Sequence, residues 1–136
     1  MSERLLPAAD RDSAEWWSAL ARHELVQQRC DDCGRWRWPA RVMCGECGSF
    51  AWSWQPISGR GTVTSWITTH HAFLPGFSAP YHTVFVRLDE QDDIVMPGTW
   101  FGDGAPVTGM AVRAHFDDID GEDGRVTLLG WEDVGD

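Results

Sequence analysis

Four cysteines, Cys30, Cys33, Cys44 and Cys47, are all the thiols of this chain, and they fall within one stretch, RCDDCGRWRWPARVMCGECGSF, residues 29–50. Each pair reads Cys-x-x-Cys-Gly. Two residues between ligands let the backbone bend until both sulfurs face one ion. A glycine after the second cysteine permits the positive φ that completes the bend, so that amide N–H groups point at the thiolates. Two such knuckles supply the corners of a tetrahedral shell, with zinc–sulfur bonds of about 2.3 Å. The residues between the pairs suffice for a short hairpin, which Pro39 helps to reverse. The pattern predicts one structural zinc ion; iron in the same shell would instead make a one-electron carrier. A shell closed by four thiolates leaves no position at which water could be activated, so its work is to hold together a segment too small to have a core. Such a centre is anionic, and Arg29, Arg35, Arg37 and Arg41 lie beside or between the ligands, where they can offset its charge.

The other dense stretch is TTHHAFLPGFSAPYH, residues 68–82, with His70, His71 and His82 among Phe73, Leu74, Phe77 and Tyr81. Paired histidines could move protons or bind a second metal, but neither sits in a recognised ligand spacing. Adjacent residues at a strand end point oppositely, so at most one of His70 and His71 faces a given cleft. A loop of Phe, Leu and Pro is better explained as a contact surface or the lip of an apolar channel. Nucleophile motifs are missing: there is no Gly-x-Ser-x-Gly, no further cysteine and no lysine. No Gly-rich phosphate loop is present either. Asp117, Asp118, Asp120, Glu122 and Asp123 resemble a calcium loop only in composition and read as a solvated turn. No catalytic residue is assigned.

The elements that must carry these residues follow from periodicity. Asp12 is placed to N-cap a helix over 13–23, with Glu15 three residues later in a capping-box pattern. That helix puts Trp16 and Leu20 on one face, with Trp17 and Ala21 beside them. It is too short to persist alone in water and must dock its tryptophans on its own domain or on a partner. ELVQQRC is a strand leading into the cysteines and FAWSWQPI one leaving them, with Trp52 and Trp54 on the same side. After a turn at Gly59 and Gly61, strands are expected at 62–70, 81–88, 93–96, 110–116 and 124–131. Val84, Val86 and Leu88 alternate with Thr83, Phe85 and Arg87 as a half-buried strand requires. Five strands without an intervening helix predict a small closed barrel. The organisation expected is mainly β: an N-terminal helical segment and strand at 1–28, a zinc ribbon at 29–55, and a five-stranded OB-fold barrel with an acidic end at 56–136.

Composition bounds the partners. The 136 residues carry a net charge of −10, and every one of the eleven basic residues is arginine. That charge disfavours a phosphate backbone, although nine tryptophans could stack bases and an OB-fold single-strand binder is the alternative. No apolar run is long enough to span a bilayer, and the first residues carry acids without an apolar centre. A cytoplasmic protein is therefore expected, in which paired cysteines read as metal ligands before disulfides.

The helix, the segment LVQQRCDDCGRWRWPARVMCGECGSFAWSWQPISGRGTVTSW and the closing VTLLGW together resemble a family of bacterial and archaeal proteins of unassigned function, in which a rubredoxin-like zinc ribbon is joined to an acyl-CoA-associated OB-fold. The likeness covers about residues 13–131, and its most specific part is the pair of knuckles followed by GRGTV at 59–63. The resemblance implies an accessory subunit that accompanies thiolase-like aldolases and acyltransferases, or MaoC-like enoyl-CoA hydratases. It further implies a hetero-oligomer in which the OB-fold helps enclose an acyl-CoA thioester, as in sterol side-chain or fatty-acyl breakdown, while the partner carries the catalytic residues. Cys30, Cys33, Cys44 and Cys47 match the ribbon ligands of that family. Trp16, Trp17, His70, His71, Phe73, Leu74, Phe77 and Tyr81 are the expected partner or acyl-CoA contacts, inferred from the residues rather than from a family motif.

Overall fold

A computed structural model of the chain describes residues 5–134. Helix α1 spans Ala14–Ala21. Its N-cap is Ser13, one residue after the expected Asp12, and no side chain caps it. The reason is local: Asp10 Oδ1 accepts from both the Ser13 amide, at 2.8 Å, and the Ser13 hydroxyl, at 2.6 Å. The hydroxyl is thereby turned away from the helix amides, and Glu15 faces Arg22 at 3.6 Å instead of completing a capping box. At the other end the Glu24 amide donates to Ala19 O at 3.0 Å and the His23 amide to Leu20 O at 2.8 Å, a Schellman closure. His23 takes the left-handed position, φ 59°, usually given to glycine. Its ring is anchored there, 2.9 Å from Asp118 and stacked on Phe116 with centroids 5.0 Å apart.

The ribbon is a three-stranded antiparallel sheet in the order β2-β1-β3, with β1 Val26–Cys30, β2 Trp36–Arg37 and β3 Trp52–Pro56. Trp52 and Trp54 meet edge to face with centroids 5.5 Å apart, as their shared face predicts. The remaining strands, β4 Arg60–Thr69, β5 Tyr81–Leu88, β6 Val95–Trp100, β7 Ala111–Gly121 and β8 Gly124–Asp133, close into the barrel β4-β5-β6-β8-β7. All its pairings are antiparallel except β6 with β8, which touch in parallel at only Thr99↔Gly130 and Trp100↔Trp131. Among the described residues the barrel core is a cluster of nine buried side chains, Val63, Val84, Val86, Leu88, Ile94, Met96, Trp100, Val112 and Trp131. Full burial of each large apolar side chain stabilises the fold by about 1.5–3 kcal/mol. Gly61 lets β4 approach β5 closely: a Cβ there would lie 2.4 Å from Arg87 O.

Two further expectations, both in the barrel, need correction. The third barrel strand runs Val95–Trp100 rather than 93–96, taking in Pro97 and Gly98, which read as turn residues. β8 reaches β6 only at Thr99 and Trp100, so Pro97 lies in a stretch with one neighbouring strand, where sheets tolerate proline. Gly98 is required because the Trp131 indole fills the space of its side chain, 2.9 Å from an added Cβ. The acidic run at 117–123 is likewise no loose turn. Asp117–Asp120 continue β7 and pair with Leu128–Arg125, leaving Glu122 and Asp123 at the tip of a long hairpin.

The ribbon is held to the barrel by Trp36 and Trp38, which pack against the barrel core, and by polar contacts. Gln91 accepts from the Trp36 amide and donates to its carbonyl, each at 2.9 Å, extending β2 onto the barrel loop. Arg35 pairs with Asp93. The Ile57 amide donates to Leu25 O at 3.0 Å and the Ala114 amide to Gly59 O at 2.7 Å. Among the described residues no helix is long and apolar enough to cross a membrane.

Candidate functional site

The two knuckles superimpose in design. In each, the glycine after the second cysteine returns its amide to the carbonyl of the first, Gly34 to Cys30 and Gly48 to Cys44, both at 3.0 Å. Both glycines have positive φ, 78° and 76°. The hairpin between them brings Cys30 Sγ within 3.6 Å of Cys47 Sγ and Cys33 Sγ within 3.6 Å of Cys44 Sγ. All four sulfurs lie within 4.8 Å of one another. A tetrahedron with bonds near 2.3 Å has sulfur–sulfur edges of about 3.8 Å, so the cluster is the right size for zinc.

The proton affinities make the same point. Amides of Cys47 and Glu46 stabilise the Cys44 thiolate and bring it down to about 6, and the Cys33 amide lowers Cys30. The Ser49 amide favours a Cys47 thiolate too, but lost hydration and the three neighbouring sulfurs outweigh it and push that thiol up to about 12. Cys33 is raised as well: its Arg35 amide bond is outweighed by desolvation and by the Cys44 and Cys30 sulfurs. Amides are arranged for four thiolates, yet so much negative charge cannot gather there without a cation. The donor set fits a structural metal ion held by Cys30, Cys33, Cys44 and Cys47. The nearby arginines also have partners of their own: Arg29 donates to Gly34 O at 2.9 Å and covers Trp36, and Arg35 adds Glu46 at 3.9 Å.

A cleft of about 370 Å³ opens between α1, the ribbon and the barrel. Trp16 and Trp17 of α1, Phe77 and Tyr81 of the β4–β5 loop and its strand end, and Trp38 of the ribbon line it. Trp16 and Trp17 meet edge to face at 4.8 Å, and the Phe77 and Tyr81 rings lie 5.3 Å apart. Its floor is Met96, Pro97 and Gly98 of β6 with Leu128 and Leu129 of β8.

The structure thus divides the eight expected contact residues. Trp16, Trp17, Phe77 and Tyr81 converge on the cleft, whereas His70, His71, Phe73 and Leu74 lie outside it. The latter group forms the exposed end of the loop: Phe73 is 78% exposed, Leu74 is 48% exposed, and the His71 ring packs edge-on against Phe73 at 4.6 Å. Trp66 and Ile67 on the outer half of β4 add exposed apolar surface. Sequence reasoning missed Trp66 and Ile67, because the alternation of β4 slips at a bulge between Val63 and Ser65. It also missed Trp38 and Leu128–Leu129, whose position in the cleft depends on how the ribbon seats on the barrel.

A four-cysteine ribbon packed on a barrel of this strand order defines a zinc-ribbon OB-fold protein. Residues 17–53 match the family described as ChsH2, rubredoxin-like zinc ribbon domain, and residues 54–117 match ChsH2, C-terminal OB-fold domain. The solved Ltp2-ChsH2(DUF35) aldolase contains a chain that matches with a TM-score of 0.83 and 33% identity, covering 94% of this chain and 98% of that one. The chain belongs to the ChsH2 (DUF35) family. A DUF35 protein from Sulfolobus solfataricus shares the fold, with a TM-score of 0.61 at 15% identity, over 93% of this chain and 87% of that one. Two curated relatives are longer. The 3-oxo-4,17-pregnadiene-20-carboxyl-CoA hydratase alpha subunit of Mycobacterium tuberculosis is 36% identical over 93% of this chain and 39% of its own length. A probable enoyl-CoA hydratase alpha subunit of Thermomonospora curvata is 40% identical over 65% of this chain and 28% of its own length. The chain therefore spans less than half of either hydratase subunit that it matches.

Proposed function

We propose that this chain is a non-catalytic accessory subunit of an acyl-CoA-processing complex, docking on a thiolase-like aldolase of the lipid-transfer-protein type. The observation that carries this reading is the match to nearly the whole ChsH2 chain of the Ltp2-ChsH2(DUF35) aldolase. The residues support it in two ways. Every cysteine is committed to the ribbon and lysine is absent, so this chain supplies no thiol or amine nucleophile. Exposed Phe73, Leu74, Trp66 and Ile67 form apolar surface of the kind that partners cover. In this reading one zinc ion stiffens the ribbon, the exposed loop end seats on the partner, and the aromatic cleft of Trp16, Trp17, Phe77 and Tyr81 helps enclose the acyl-CoA thioester. Steroid side-chain or fatty-acyl breakdown is the setting.

Co-expression with the thiolase-like or hydratase-like product of a neighbouring gene, followed by size exclusion, tests the proposal. Co-elution with a thiolase-like protein is expected, and elution as a lone chain beside both classes would overturn it. A second reading, in which the partner is a MaoC-like hydratase, is favoured by the hydratase names of the two longer relatives. The same experiment separates the two by which protein is captured. Turnover of a thioester by the isolated chain would end both.

A further inference from the structure

The aromatic cleft between α1, the ribbon and the barrel carries a charge that an acyl chain has no use for. Among the described residues that line it, Asp117 is the single acidic or basic one. Around it stand Trp16, Trp17, Trp38, Phe77 and Tyr81. The face of an aromatic ring is the negative end of its quadrupole and attracts a cation, most often a guanidinium, within about 6 Å of the ring centre. A carboxylate among aromatic faces therefore selects a cationic group on an apolar stem. Arginine meets both conditions, because its methylenes lie along apolar surface while its planar head pairs with a carboxylate or stacks on a ring.

The chain itself brings such a group within reach. Leu6 lies against the end of the β7–β8 hairpin: a Cβ on Gly121 would be 2.7 Å from its Cδ1. Gly121 and Asp117 are both on β7, four residues apart, so they present to one face of the hairpin about 13 Å from each other. The residues that precede Leu6 thus start on the face that Asp117 shares. Fully extended, residues 1–5 span at most about 18 Å, which covers that interval with little to spare. Arg4 is the only basic residue ahead of Arg11, and Arg11 is exposed beside Asp12 at 3.7 Å. Glu3 is no obstacle, since neighbours in extended chain point oppositely. The cleft lies at the lower end of small-ligand pockets, roughly 300–1,000 Å³, so a seated arginine leaves no room for a second occupant.

We propose that residues 1–4, which lie outside the described part of the chain, fold back along the β7–β8 hairpin and seat Arg4 in the aromatic cleft, its guanidinium beside Asp117 and over the Phe77 ring. The segment is then a built-in occupant that an entering ligand must displace. Displacement by an acyl-CoA rests on the reading of the cleft given under the proposed function; the seating itself does not.

The test is nuclear magnetic resonance of the full chain, carrying its metal. Nuclear Overhauser contacts are expected between the Arg4 δ-methylene and the Phe77 ring. Arg4→Gln and deletion of residues 2–4 should move the Trp16 and Trp17 indole signals alike, and leave Trp52, which does not line the cleft, in place. Asp117→Asn should weaken the Arg4 contacts at least about fivefold, with the amide signals of β7 reporting that this variant is folded. Octanoyl-CoA should extinguish the Arg4 contacts and bind the deletion variant at least about threefold more tightly than the full chain. No contact between Arg4 and Phe77, indole signals indifferent to both changes at the N-terminus, or contacts undiminished in Asp117→Asn would each overturn the proposal. Should octanoyl-CoA move the Trp16 and Trp17 signals of a chain that shows no Arg4 contacts, the proposal fails and the acyl-CoA reading of the cleft stands. Arg4 contacts that persist under excess octanoyl-CoA would leave the seating in place and remove that reading.

Discussion

Replacing Cys44 by serine tests whether the ribbon has any stability apart from its metal. Between residues 26 and 56 the only buried apolar side chains are Cys30 and Cys44, and the other buried residues there are the polar Gln27, Gln28 and Arg37. The barrel, in contrast, owns all nine residues of the hydrophobic cluster. Binding of a structural zinc ion is worth on the order of 10 kcal/mol in small zinc domains, comparable to the whole stability of a typical domain at about 5–15 kcal/mol. A ribbon without an apolar core cannot replace that contribution. Cys44→Ser should therefore lower amide protection throughout β1, β2 and β3 by at least about 100-fold, a floor of about 2.8 kcal/mol at 1.4 kcal/mol per decade. Protection of Val63, Val84 and Val86 should change by less than about tenfold, because their strands pair with one another and not with the ribbon. Hydrogen exchange read by mass spectrometry, with elemental analysis of bound metal, measures both. Retained protection in β1–β3 after the metal is lost would refute the reasoning, and so would equal loss in the barrel, since that would make the two sheets one cooperative unit.

Gly61→Ala should destabilise the barrel by roughly 3 kcal/mol and lower the melting temperature by about 10 °C, because the new Cβ meets backbone that cannot swing aside. Gly45→Ala, with nothing within 4 Å of its Cβ, should leave melting nearly unchanged; equal effects would sink the steric account. Asp118 is held below the usual carboxylate range, first by the Thr127 hydroxyl and then by His23, with Arg125 adding to the effect. A depressed carboxyl stabilises the fold above its unfolded pKa of about 4, and that contribution is lost as pH falls through the folded value. Urea midpoints measured at pH 6, 4 and 3 should thus fall less steeply for Asp118→Asn than for the unsubstituted chain, and an unchanged slope would remove Asp118 from the account. The double substitution Phe73→Ser, Leu74→Ser should leave stability within about 0.5 kcal/mol, since both side chains are exposed, while weakening capture by a thiolase-like partner at least about tenfold. Undiminished capture would move the docking surface elsewhere.

The metal centre was legible because its signal is local: ligand spacing and the glycine after each pair specify a knuckle whatever surrounds it. Val84, Val86 and Leu88 were legible for a similar reason, since one buried face writes a period of two into the strand. What escaped was set by distant residues. Pro97 and Gly98 carry turn chemistry, and only the absence of a β8 neighbour and the presence of the Trp131 indole make them strand. The acidic hairpin was misread because Asp118 owes its place to Thr127, His23 and Arg125, two of them from its own partner strand. Arg37 was read as a counter-charge to the sulfurs; nothing in its neighbourhood in sequence announces that its side chain is buried.

The shortest seam of the barrel, two residue pairs joining β6 to β8, lies directly beneath the aromatic cleft. Whatever lodges there spans both sides of the seam and acts as a rivet across it. Because a molecule that binds only the closed barrel adds RT ln(1 + [L]/Kd) to its stability, occupancy of the cleft is readable as a rise in melting temperature, without any assay of turnover.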